Sequence, residues 1–117
     1  MNVGIIGCGI IGHKRAESLG DNKLIAVADI DTTKAMKLAA RYPYVFIYKD
    51  YEKLLERKDI DVVIVSTTNN MLSSIALNAI RAGKHVLIEK PAAIHYNELD
   101  SLIVEAKEKL STPRKVK

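Results

Sequence analysis

The sequence predicts an α/β fold: a doubly wound parallel sheet in three α/β/α layers, with strand order 3-2-1-4-5. Three observations predict it. Short runs rich in Val, Ile and Ala alternate strictly with stretches of helical spacing. Glycines and aspartates stand at the joints between them. The most β-branched run, Val62-Val63-Ile64-Val65, lies in mid-chain and is apolar throughout, as a strand covered on both faces must be. When strands alternate with helices, each crossover returns the chain to a parallel neighbour and is right-handed in nearly all cases, which gives the doubly wound arrangement.

Taken in order, Asn2 to Ile6 is a short apolar run closed by glycine and reads as a buried strand. Helical spacing runs from Ile10 to Leu19, and Gly20 can end it. Lys23 to Asp29 is the second strand. Asp31 stands at an N-cap position ahead of Ala35, Leu38, Ala39 and Tyr42, with Pro43 as a stop. Val45 to Tyr48 is a short third strand, and Asp50 caps a brief helix reaching Leu54 and Leu55. Val62 to Val65 is the fourth and central strand. Leu72, Ile75, Ala76 and Ala79 then line one face of a helix with Gly83 just past its end, and His85 to Ile88 is the fifth strand. Leu99, Leu102, Ile103, Ala106 and Leu110 fall at steps of three and four along a last helix. One domain over residues 1–110 is expected, followed by a basic tail over 111–117. The tail stands where a sixth strand or a connection to a further domain would begin.

A chain of 117 residues with 48% hydrophobic content can build one core without staples. Arg114, Lys115 and Lys117 carry three of the four net positive charges, so the rest is close to balanced and offers no basic face for nucleic acid. With no Trp and one Phe, platforms for stacking bases are few. A single cysteine, Cys8, allows neither an internal disulfide nor a cysteine-based zinc site. No metal is expected. The glycine-interrupted amino terminus has no basic flank and matches neither a signal peptide nor a membrane span. The expected setting is the cytoplasm.

Gly7-Cys8-Gly9-Ile10-Ile11-Gly12 matches G-x-G-x-x-G between a strand and a helix, the setting in which that spacing binds a dinucleotide. Gly7 permits the tight turn, Gly9 lets backbone approach a pyrophosphate, and Gly12 brings helix and strand together. Amides of the first helical turn, Ile10 and Ile11 included, then meet the phosphates with the helix dipole behind them. Asp29 ends the second strand seventeen residues after Gly12, where a carboxylate accepts both hydroxyls of the adenosine ribose and repels a 2′-phosphate. That favours NAD over NADP, although Lys34 nearby can offset a phosphate. Cys8, between two glycines, contributes backbone, with thiol chemistry the less favoured reading. In this strand order the ligand lies over the carboxyl ends of the strands at the switch point between the first and fourth. Ser66-Thr67-Thr68-Asn69 must therefore face the glycine loop, either bonding the cofactor or capping the next helix. Glu89-Lys90-Pro91 follows the fifth strand, nearer the nicotinamide. Lys90 is the candidate catalytic group there, its ammonium polarising or orienting a substrate oxygen.

Three blocks, Val3 to Gly12, Ala26 to Asp29, and above all Ala82-Gly83-Lys84-His85-Val86-Leu87-Ile88-Glu89-Lys90-Pro91, resemble the amino-terminal domain of the glucose-fructose oxidoreductase and inositol dehydrogenase (Gfo/Idh/MocA) family. The resemblance implies a Rossmann domain and hydride transfer between NAD(P) and a hydroxyl-bearing carbon, usually of a sugar or cyclitol. It also implies that Lys90 assists catalysis and cofactor placement. The family often has Thr-Pro-Asn-x-x-His after the fourth strand, where this chain has Thr67-Thr68-Asn69-Asn70-Met71-Leu72, and a histidine where Arg15 stands. Family members continue into a substrate-binding domain, usually also the oligomer contact, that this sequence does not contain. His13, His85 and His95 have no evident orienting carboxylate and do not replace its acid–base groups.

The first reading is thus the cofactor half of an NAD(P)-dependent oxidoreductase, needing a substrate domain or partner chain. A non-catalytic dinucleotide-binding or sensing module is the alternative. An S-adenosylmethionine-dependent methyltransferase would explain the glycine loop and Asp29 but neither Gly12 nor Glu89-Lys90-Pro91.

Overall fold

The structure is a computed structural model, and it describes residues 1–67 and 69–88. Nine elements follow one another in it: β1 (Asn2–Ile6), α1 (Ile10–Glu17), β2 (Lys23–Ala28), α2 (Thr32–Ala39), β3 (Phe46–Tyr48), α3 (Tyr51–Leu55), β4 (Val62–Val65), α4 (Asn69–Arg81) and β5 (His85–Ile88). The strands form one parallel sheet in the order β3-β2-β1-β4-β5, as the alternation predicts. The expected last helix, with Leu99, Leu102, Ile103, Ala106 and Leu110, lies outside the described residues, as do His95 and the tail.

Side chains leave the sheet alternately and two cores result. Val3 and Ile5 of β1, Val27 of β2 and Ile64 of β4 meet Ala16 of α1 and Ala35 and Leu38 of α2. Ile6, Ala26, Val63 and Val65 meet Leu54 of α3, Ile60, and Leu72, Ile75 and Ala79 of α4. The β1–β2 register shifts by one residue between Val3 and Gly4. Leu54 packs so closely over Gly4 that a Cβ there would stand 2.9 Å from its Cδ2.

Four element ends differ from the sequence expectation: β3 starts at Phe46, not Val45, and the other three have a local reason. α1 stops at Glu17, not Leu19, because the Ser18 hydroxyl donates to the carbonyls of Lys14 and Arg15 and Gly20 turns the chain at φ +62°. α2 stops at Ala39, before Tyr42, where the bonds tighten to three-residue spacing ahead of Pro43. β2 ends at Ala28; the Asp29 amide still donates to Tyr48 O, but its side chain turns to the adjoining loops. Asp31 and Asp50 cap α2 and α3, accepting from the amides of Thr33 and Glu52, and Gly83 ends α4 at φ +81°.

At the opposite end of the sheet from the glycine loop, the buried Lys84 ammonium donates to Ile60 O at 2.9 Å and to Arg57 O. The Arg57 guanidinium pairs with Asp59, bonds the Tyr48 hydroxyl and lies 4.0 Å over the Phe46 ring. These contacts tie the segment between α3 and β4 to both halves of the sheet. Leu54 of α3 is fully buried, so Leu54→Ala should cost about 2–5 kcal/mol in denaturant-induced unfolding.

Candidate functional site

The glycine loop is fixed by contacts that leave no room for side chains at two of its three glycines. Gly7 turns at φ +98°, and a Cβ on it would lie 2.7 Å from the Ser66 carbonyl and 2.8 Å from Thr67 N. A Cβ on Gly12 would overlap the Gly7 carbonyl oxygen. That same oxygen accepts from Ser66 Oγ at 2.7 Å, and the Gly7 amide donates to Ala28 O at 2.8 Å. The turn is thereby held against β2, the β4 loop and α1 at once.

Gly9 is different. Its φ of −81° suits any residue, and a Cβ on it would have nothing within 4 Å. Neither backbone conformation nor packing within the described residues calls for glycine there, and a larger residue would project into open space. Gly9 is also the N-cap of α1, with no side-chain cap and no acidic residue in the first turn. An α-helix leaves its first amides without helical partners, so Ile10, Ile11 and Gly12 present donors at this end. Ile10 itself is exposed, and Ile11 is half-buried.

Asp29 holds the neighbouring loop in place. One carboxylate oxygen accepts from the Cys8 amide at 2.9 Å, and the other accepts from the Asp31 amide at 2.8 Å. The residue predicted to read a ribose is thus also the link between the glycine loop and the start of α2. Each oxygen of a carboxylate has two acceptor sites, so both keep capacity for a hydroxyl donor.

These groups border a cavity of about 330 Å³ over the carboxyl ends of β1, β2 and β4. Of the predicted residues, Gly7, Gly9, Asp29, Ser66 and Thr67 line it; Ile10, Ile11 and Gly12 stand beside it on α1. Asn69 opens α4. Thr68, Glu89, Lys90 and Pro91 lie outside the described residues. The sequence reading missed Ile30, Lys49, Tyr51, Met71 and Ile75, all in the cavity wall. Ile30 carried a legible signal, an isoleucine between two aspartates at a strand end that is 78% exposed.

Ser66 and Thr67 divide their roles. The Ser66 hydroxyl is occupied by Gly7 O, whereas the buried Thr67 Oγ1 has no hydrogen-bond partner among the described residues and its residue faces the cavity. A buried hydroxyl without a partner is costly, on the order of 1–3 kcal/mol. The set, an orphaned hydroxyl, an uncapped helix end, a carboxylate with spare acceptor sites and an apolar wall, fits a dinucleotide: phosphates for the amides, ribose hydroxyls for the carboxylate, a flat base for Ile30. Among the described residues there is no cluster able to hold a metal, and no helix long and apolar enough to cross a membrane.

Cys8 is buried at 2% exposure, its thiol directed to Ala28 O at 3.4 Å. Burial, with the Asp29 carboxylate second and against a smaller opposing effect of the Ala28 bond, pushes the thiol up from 9.0 to about 12. It is therefore protonated at neutral pH and no nucleophile. The unfolded thiol ionises near 9.0 and the folded one near 12, so its stabilising contribution is whole below pH 9 and is lost as pH rises through that interval. Wild type should lose stability more steeply than Cys8→Ala across it, and native protein at pH 8 should resist thiol alkylation until unfolded. Gly12→Ala should cost at least about 3 kcal/mol by overpacking against backbone, whereas Gly9→Ala should stay within about 1 kcal/mol of wild type; thermal unfolding of the two variants side by side checks both.

With the site's geometry in view, the chain can be set beside known proteins. Residues 1–112 match the family model described as "Oxidoreductase family, NAD-binding Rossmann fold", labelled GFO_IDH_MocA. The myo-inositol 2-dehydrogenase of Thermotoga maritima is 32% identical over 110 residues, 92% of this chain and 33% of that protein. An NAD-binding oxidoreductase from Klebsiella pneumoniae superposes with a TM-score of 0.82 at 30% identity, over 93% of this chain and 32% of the other. A biliverdin reductase from Synechocystis sp. PCC 6803, solved with biliverdin and NADP+, superposes at 0.85 with 32% identity, over 92% and 35%. The chain spans about a third of the length of the relatives it matches. By fold, loop and sequence alike, the chain belongs to the Gfo/Idh/MocA oxidoreductase family, as its NAD-binding Rossmann domain.

Proposed function

We propose that the chain is the cofactor half of an NAD-dependent oxidoreductase acting on a hydroxyl-bearing carbon of a sugar, cyclitol or related molecule. The observation that carries this reading is Gly9, a glycine with ordinary backbone angles and open space where its side chain would be, at the uncapped start of a helix. Inositol dehydrogenases among the relatives support the substrate class. The substrate pocket would come from a further domain or a partner chain, with residues 111–117 as the start of a connection, and a homo-oligomer in the cytoplasm is the setting we infer.

In this reading the amides of Ile10, Ile11 and Gly12 hold the pyrophosphate and Asp29 accepts the adenosine ribose hydroxyls. Thr67 Oγ1 donates to the cofactor, and Thr68 and Asn69 are further candidate contacts. Bound NAD would take up or release the hydride. Lys90, steadied by Glu89 and Pro91, donates a hydrogen bond to the substrate oxygen; as that oxygen becomes a carbonyl the ammonium stabilises the charge developing on it. A proton acceptor for the hydroxyl would come from the substrate domain.

Calorimetric titration with NAD, NADP and S-adenosylmethionine tests the reading. NAD should bind and S-adenosylmethionine should not. Gly9→Ala should weaken NAD by roughly tenfold or more, on the order of 1.4 kcal/mol, with little change in melting temperature. Absence of dinucleotide binding, or NAD affinity unmoved by Gly9→Ala, would remove the proposal.

A further inference from the structure

One edge of the sheet stands open. Among the described residues β3, last in the strand order, pairs with β2 alone. The backbone groups of a strand face its two sides in alternation. Tyr48 O accepts from the Asp29 amide, so Phe46 and Tyr48 turn their groups to β2. Ile47, with Val45 and Lys49 on either side of it, turns its N–H and C=O outward, and the backbones of Val45 and Lys49 make no bond to another backbone group among the described residues. Sheets guard such an edge with a charge, a proline, a bulge or a covering element. Residues 44–48 carry neither charge nor proline, and Phe46 and Ile47 are 52% and 44% exposed.

The open edge is bounded at both ends. Tyr44 turns at φ +71°, which bends the chain just before Val45, and Asp50 caps α3, which ends the extended run at Lys49. Residues 45–49 remain, with Ile47 at their centre. A run bounded in this way is complementary to its own copy. In an antiparallel pairing about a twofold axis, Ile47 meets Ile47 of the other copy and Val45 meets its Lys49, each pair exchanging two hydrogen bonds. Between them Phe46 meets Tyr48 in the closer pairs of such a ladder, where aromatic side chains stabilise one another. No like charges stand opposite, because Lys49, the one charge in the run, faces a valine. The cation beside the seam, Arg57, lies over the Phe46 ring and pairs with Asp59 at 2.6 Å, so its charge is met within its own chain.

We propose that β3 is a dimer contact whose partner is a second copy of this chain, joined antiparallel along 45–49 with Ile47 on the twofold axis. The two sheets then run on as one. The pairing uses the same edge of both copies, so it closes at two, and its short seam makes it a contact that dilution reverses. Lys49 also lines the cavity, so the seam ends at the wall of the candidate site. The contact itself does not depend on the dinucleotide reading.

Sedimentation of the whole chain over a dilution series tests the contact, and cysteine variants test its register. Wild type should pass from dimer to monomer on dilution. Ile47→Lys sets like charges opposite each other on the axis and should weaken the dimer by at least about tenfold, with the circular dichroism of the fold retained. Ile47→Cys should cross-link to itself on mild oxidation, because its Cα atoms stand about 5.5 Å apart in this pairing. Val45→Cys and Lys49→Cys should cross-link to each other when mixed, but neither to itself. Cys8 is buried and does not compete. Wild type monomeric at every concentration would overturn the proposal, whatever other strand then covered the edge. A dimer untouched by Ile47→Lys would overturn it too, as would Val45→Cys joining to itself as readily as Ile47→Cys does. Should Ile47→Lys fail to fold, the pattern of cross-links decides alone.

Discussion

The fold is organised around one close approach, the start of α1 against the turn that ends β1. Gly12 has only a hydrogen where the Gly7 carbonyl passes, and Gly7 has only a hydrogen where the backbone of Ser66 and Thr67 passes. Because neither position can hold a Cβ, helix, turn and β4 loop come together with backbone touching backbone. That contact sets the direction of α1, and through it the direction in which the free amides of its first turn point. It also fixes the crevice between β1 and β4, the switch point of the sheet.

Asp29 adds the second constraint. By accepting from Cys8 on one loop and Asp31 on the next, it makes the spacing between the glycine loop and α2 depend on a single carboxylate. The same charge, together with burial, keeps the neighbouring thiol protonated. One residue therefore positions a loop, presents acceptors to the cavity and adds to the burial that silences the only cysteine of the sequence.

Much of this was legible in the residues alone. Strand order followed from alternation, and β4, α2 and β5 fell where β-branching, Asp31 and Gly83 placed them. The roles of Gly7 and Gly12 followed from motif spacing in its strand–helix setting. What was not legible depends on distance in space. The partition of Ser66 toward Gly7 and Thr67 toward the cavity requires knowing which hydroxyl meets a carbonyl. The bonds of Asp29 to two loops join residues 21 and two positions apart, and only the first of these needs the folded sheet. Lys49 from the turn after β3, Tyr51 from the start of α3 and Met71 from α4 meet only at the cavity, so no local pattern announces them. The early ends of α1 and α2 arise from one serine hydroxyl and one tightened turn, effects smaller than the helical periodicity that surrounds them.

β1 is the middle strand of the sheet, yet it is the first strand of the chain. Its partner on one side, β2, follows within thirty residues, but its partner on the other, β4, pairs Ile6 with Val65. During synthesis the central strand must therefore leave the ribosome and wait, apolar on both faces, until some sixty residues later its second edge is covered. Contacts of such long sequence separation slow folding and prolong the life of partly paired intermediates. The architecture that places a ligand crevice between the first and fourth strands thus makes the site a late product of synthesis, since the crevice cannot exist until the last of its walls has been translated.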